Sequence, residues 1–289
     1  MKKSGFTLVE LLVVISIIAI LLAVLMPALS KAKLQASAII CLTDVKTLST
    51  AWFMYVGDNN GKIVGAHTWL SGPDSKAKKK NNFNVDATAV YSDSKQNLLT
   101  NWVELPQAED GTRKDNRPHK DHEILGIQRG LLFPYVGKKI DVFHCPMDKR
   151  LLQDKKRDYG GYRSYSIAGC MDGYYFAGLR VVKKHSQIPQ PSYKYVFVEE
   201  YWKSDTDGFG WNSQAWQLNP TGDSWTDPLS VAHGNKSILG FADAHGEAIR
   251  WKDKRTIAYS KDKGANSEYR NQPDNPDLKF MQERWTVLK

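Results

Sequence analysis

A chain of 289 residues with 42% hydrophobic and 25% charged residues has the composition of an ordinary folded protein, with room for one sizeable domain or two small ones. Its net charge of +9 is spread along the length in groups such as KAKKK (76–80) and KDKR (252–255). That is a diffuse, solvated basic surface, and no motif of a nucleic-acid fold accompanies it. The three cysteines, Cys41, Cys145 and Cys170, are too few and too scattered for a disulfide-built scaffold or a zinc centre, and there is no CxxC or HExxH pattern.

From Leu11 to Met26 the only polar residue is Ser16. Extended back to Thr7, the run reaches about 20 residues, the length of a helix that crosses a hydrocarbon core. Lys2 and Lys3 stand in front of it, which places the N-terminus in the cytoplasm and everything after about residue 30 on the far side. A cleaved secretory signal would have a shorter apolar core and a better small-x-small site than ALS at 28–30. It would also leave Glu10 unexplained, because a carboxylate in such a run needs a partner or must reach back to the interface.

The segment GFTLVE (5–10), followed by this apolar helix, resembles the class III signal of type IV pilins and type II secretion pseudopilins. It combines a short basic leader, a Gly-Phe junction, a Glu five residues after the Gly and an uninterrupted stem. The resemblance implies a leader of residues 1–5, cut by a prepilin peptidase between Gly5 and Phe6, and methylation of the new N-terminal Phe6. It assigns Glu10 to filament assembly, where its carboxylate meets the free amine of a neighbouring subunit and both charges leave lipid as a pair. The implied partners are further copies of the chain, other pseudopilins, the peptidase, an inner-membrane assembly platform and the lipid bilayer. Neither nucleic acid nor a catalytic group is indicated, and no cofactor is implied apart from the calcium and zinc readings below; the alternative is a membrane-tethered exported binding protein, for carbohydrate or metal, or a hydrolase that uses a pilin-type leader. The implied location is a bacterial inner membrane, crossed once with the N-terminus inside, with the head in the periplasm or on an extracellular filament.

Residues 6–27 are thus read as a transmembrane and assembly helix. Pro27 can bend it, since proline lacks the backbone donor and crowds the preceding turn. The helix is expected to resume over 28–56, because Leu34, Ala38, Cys41, Val45, Leu48, Trp52 and Tyr55 fall at alternating spacings of four and three and form one apolar stripe. GDNNG (57–61) ends it. The short strand-like pieces that follow predict an α+β fold, in which the long N-terminal helix packs on a small antiparallel sheet within an exported head of residues 57–256 with long loops. The pilin resemblance implies the same arrangement. Ser71 to Glu123 reads as loop, and GLLFPYVG (130–137) as a short helix or turn. Strands are predicted at DVFHC (141–145), YRSYSIAG (162–169), YKYVFVEE (193–200), SILGFADA (237–244) and GEAIRWK (246–252), the last two as a hairpin. Residues 257–289 read as a polar, partly ordered tail.

Further segments resemble the large pilin-like proteins common in Planctomycetes, Verrucomicrobia and their relatives: CLTDVKTLSTAWFMYVGDNNGKI (41–63), LLFPYVGKKIDVFHCPMD (131–148) and VAHGNKSILGFADAHGEAIRWKD (231–253). Their terminal signature is a His, nine residues, then Asp-Gly-His. Here His233 and Asp243 keep the interval, but Ala244 replaces the glycine before His245. If a positive φ is needed directly after Asp243, Gly246 is the residue expected to take over the turn.

Four chemistries are open to the stem and head residues. Cys41 lies on the stem stripe and Cys145 opens a Cys-Pro corner in an exported domain, which suits a Cys41–Cys145 disulfide; buried free thiols and a Cys145–Cys170 bridge are the alternatives. The tryptophans of WNSQAW (211–216) and GDSW (222–225) suit either a sugar-stacking platform or core clamps, and Glu199–Glu200 with DTDG (205–208) suits calcium. His233, Asp243 and His245 carry enough donors for zinc. However, ten residues of extended strand would set His233 about 30 Å from Asp243. A structural role is therefore expected, with Asp243 accepting amides in its turn and each His tying a loop to the sheet.

Overall fold

The computed structural model describes residues 7–66, 101–112, 119–150, 161–171, 181–200, 212, 215–262 and 269–286. Helix α1 (Leu8–Asp58) is 51 residues long, about 75 Å at the usual rise, and it continues through Pro27. Its two halves meet different surroundings. From Leu8 to Leu29 the large apolar side chains are exposed, whereas Ser37, Cys41, Val45, Leu48, Ser49, Ala51, Trp52 and Val56 are buried against the head. Among the described residues nothing covers this apolar half, which suits a helix in lipid, and it is long and apolar enough to cross a membrane.

The head is built on a four-stranded antiparallel sheet in the order β1 (Tyr165–Ile167), β2 (Tyr195–Glu199), β3 (Lys236–Phe241) and β4 (Gly246–Arg250). In β2, YVFVE is aromatic and β-branched and buried at every position, as befits a strand covered on both faces. The outer half of α1 lies across β2, β3 and β4 and against the 3₁₀ turns Pro134–Val136 and Ile140–Phe143. Gly240 of β3 sits directly against Ser49 and Val45 of α1, with no room for a Cβ. The α+β fold, with the long apolar helix packed on a small antiparallel sheet, is therefore the one the sequence predicts.

Some local expectations differ. DVFHC is no strand: Ile140–Phe143 turns as 3₁₀ helix, and His144 N–H donates to Asp141 O at 3.0 Å. A short segment with only two successive apolar residues, Val142 and Phe143, satisfies either element, and Pro146, which cannot donate to a ladder, tips the balance. The stretch expected as loop up to Glu123 is in part helix, since α2 (Lys120–Gln128) begins within it. The tail is also folded: α3 (Lys254–Lys261) and α4 (Pro276–Arg284) follow the sheet, and Leu278, Met281 and Trp285 are buried. Trp285 packs against Tyr195 of β2 and against Trp216, at ring distances of 6.2 and 6.1 Å. The Asn-Pro-Asp sequence that looks like coil is a helix start, with the Asn275 side chain accepting from the Asp277 and Leu278 amides and Pro276 at the first helical position.

Candidate functional site

Two groups of residues stand out, one at the tip of the stem and one beneath the head. Gly5 and Phe6, the expected cleavage and methylation positions, lie outside the described residues. Thr7 and Glu10 open α1 as a reciprocal capping box. The Thr7 amide and hydroxyl both donate to Glu10 Oε2 at 2.8 Å, and the Glu10 amide donates to Thr7 Oγ1 at 3.3 Å. The carboxylate thus turns back toward the first turn, where free amides and the positive end of the helix dipole favour it. The sequence signal for this is T-x-x-E ahead of an apolar run, a local pattern that charge alone does not disclose. Glu10 is the only charged residue from Thr7 to Ser30.

In the head, the stem stripe, the Cys-Pro corner, the end of β2 and the loop before β3 converge on one buried cluster. Ligand-type atoms of Cys41, Cys145, Glu199 and His233 all lie within 4.8 Å of one another. The two Sγ atoms are 2.8 Å apart, and His233 Nε2 is 3.4 Å from Cys145 Sγ and 3.0 Å from Glu199 Oε1. Glu199 Oε2 also accepts the Ile238 amide at 3.2 Å. Cys145 is held from behind, because its amide donates to Ser164 Oγ, whose hydroxyl donates to Asp148; Asp148 in turn pairs with Arg150 at 2.7 Å.

Electrostatics follows from this burial. The Cys145 thiol is pushed far up, chiefly by loss of water and further by the neighbouring Cys41 and Glu199. For His233 burial works against the charged ring, but the hydrogen bonds with Cys145 and Glu199 and the Glu199 charge outweigh it, raising the pKa to about 10. His233 is therefore drawn toward its protonated form where it meets Glu199 Oε1 and Cys145 Sγ. Cysteine, imidazole and carboxylate in this order also make the outline of an activated nucleophile, yet Cys145, His233 and Glu199 are almost completely enclosed.

The remaining candidates separate. Asp243 and His245 sit at the β3–β4 hairpin tip, far more exposed than His233. Asp243 Oδ1 accepts the His245 amide at 3.2 Å and lies 2.5 Å from His245 Nδ1, while the His245 ring stacks on Phe241 at 4.3 Å. Ala244 itself takes the left-handed conformation, φ +75°, and Gly246 does not, so the substituted alanine carries the turn. Cys170 is buried elsewhere, near Thr286 and Lys194. Trp216 and Trp225 are core clamps, their indole N–H groups donating to Pro228 O and Gln272 Oε1. Glu200 accepts from Ser166 at 2.5 Å inside the core, and DTDG with Trp211 lies outside the described residues.

Sequence reasoning missed the His233–Cys145–Glu199 grouping altogether. These residues are separated by 88 and 34 positions, and no local pattern joins them. Comparison with known proteins bears on the stem: no curated protein and no solved structure matches the chain. Residues 1–26 match the family described as the prokaryotic N-terminal methylation motif, so the chain is similar at its N-terminus to prepilin-type proteins and carries a pilin-like helix-on-sheet head behind that signal.

Proposed function

We propose that the protein is a structural subunit of a type II secretion pseudopilus or a type IV pilus-like filament. The observation that carries this reading is a lone acid, Glu10, at the start of a long helix whose apolar half is exposed among the described residues, within the stretch that matches the methylation motif. A prepilin peptidase cuts between Gly5 and Phe6 and the new amine is methylated. Apolar stems then associate side by side, with Glu10 of one copy answering the N-terminal amine of the next. The head is exported, and the work is mechanical, with the filament extended from an inner-membrane assembly platform. The enclosure of Cys145 favours this structural role over a hydrolase that borrowed the leader, since a nucleophile needs an approach for its substrate.

Mass analysis of the mature protein tests the reading. The expected chain begins at methyl-Phe6, while a start near Lys31 would mean an ordinary secretory signal and would overturn it.

A further inference from the structure

Cys41 and Cys145 lie 104 positions apart in the chain, yet their sulfurs are 2.8 Å from each other in the core. Two thiolates on one tetrahedral zinc, each at about 2.3 Å from the metal, would stand about 3.8 Å apart. The imidazole also suits a metal poorly. His233 Nε2 is turned to Glu199 Oε1 at 3.0 Å and Nδ1 has no hydrogen-bond partner among the described residues, whereas a ligating histidine is normally held through its other nitrogen.

We propose that a Cys41–Cys145 disulfide fastens the head to the stem helix, with the His233–Glu199 pair lining its polar side and Cys170 left as a free thiol. The inference rests on export of the head to an oxidising compartment. The oxidant is a disulfide, either of an oxidoreductase or of a small thiol compound. The Cys145 thiolate attacks it and releases one thiol, and the Cys41 thiolate then attacks Cys145 Sγ and releases the second. One protein S–S bond forms, two cysteine thiols are oxidised, and the oxidant leaves as two thiols. Because both sulfurs are sealed in the folded head, exchange precedes the closing of α1 over the sheet. Once made, the bond keeps the stem from peeling off the head when the filament is loaded along its axis.

The test uses the full chain extracted from membranes in detergent, with thiols trapped by an alkylating agent under denaturing conditions without reductant, then digested and mapped by mass. The expected result is a peptide pair joined through Cys41 and Cys145, with Cys170 alkylated. Cys41→Ser and Cys145→Ser should each lower the melting temperature by about 10 °C, and the double variant by no more, as expected for closure of a loop of about 100 residues. Alkylation at both Cys41 and Cys145, or stoichiometric zinc in the untreated protein, overturns the proposal. A methyl-Phe6 start together with reduced cysteines would remove the staple and leave the filament reading standing, whereas a start near Lys31 with an intact bridge would do the reverse.

Discussion

Replacing Gly240 with alanine tests how the stem is seated. The new Cβ would fall on Ser49 Oγ and within 2.8 Å of Val45 Cγ1 and 3.2 Å of Phe197 Cβ. Ser49 and Val45 are fully buried on α1, so neither has open space to retire into, and the helix must lift from β3. Overpacking of this kind costs about 1–3 kcal/mol. For a head of this size each kcal/mol moves the melting midpoint by about 2–4 °C, so the expected loss is on the order of 5 °C. Near-ultraviolet circular dichroism of the full chain in detergent would follow it, because buried Trp52, Trp102 and Trp216 report tertiary packing. Ser49 Oγ has no hydrogen-bond partner among the described residues, so Ser49→Ala should cost little alone and should restore part of the loss in the double variant. Gly57→Ala is the control, since its Cβ would meet nothing within 4 Å and an alanine in a helical position gains about 0.4–1 kcal/mol. If Gly240→Ala melts with the wild type, or if it and Ser49→Ala simply add, the helix does not rest on the sheet as described.

Glu10→Gln keeps a side-chain acceptor for the Thr7 amide and removes the charge, whereas Glu10→Ala removes both. Both variants should stay in the membrane and fail to enter filaments, as scored by shearing and immunoblot, and normal incorporation of Glu10→Gln would show that helix capping, not charge, is the residue's task. Ala244→Gly should raise the melting temperature, because a non-glycine residue at φ +75° carries strain of about 1 kcal/mol, and Asp243→Ala should lower it while chelator leaves it unchanged; a chelator-sensitive melt would instead reveal a metal. Burial raises the Glu123 carboxyl to about 7 against the pull of Arg150 and Arg163, and burial with the Asp141 charge raises Asp44 to about 7 as well. Folded-state values above the unfolded ones mean stability that is full below about pH 4.5 and lost as pH rises through about 7, so the melting temperature should fall between pH 5 and 8, and less steeply in Glu123→Gln. An equal slope in that variant would contradict the assignment.

The parts legible in the sequence are those whose information is periodic or local. The α1 stripe predicts Cys41, Val45, Leu48 and Trp52 as the seated face, and they are fully buried. The strands of the β3–β4 hairpin follow from two apolar runs around DAHG. Asn275-Pro276 and Thr7-Leu-Val-Glu10 are equally local: the first opens a helix in a stretch whose composition reads as tail, and the second caps a helix that the apolar run already predicts. The cluster around His233 is different in kind. His233 precedes β3 by three residues, and only the antiparallel pairing of β2 with β3 brings Glu199 to it. That pairing is a property of the assembled sheet, and no spacing within a single segment encodes it.

The apolar run of α1 ends at Met26, and the first buried residue of the stem is Ser37, with Leu34 half-buried beside Gly234 one turn earlier. Eleven steps of helix separate Met26 from Ser37, about 16 Å, with Lys31 and Lys33 exposed along the way. This length is a stand-off. It keeps the head clear of the membrane plane and gives the two ammonium groups a place among lipid phosphates. In the proposed filament, stems would then crowd together at lipid depth with the wider heads held above them, the height of each head set by the register of its own stem.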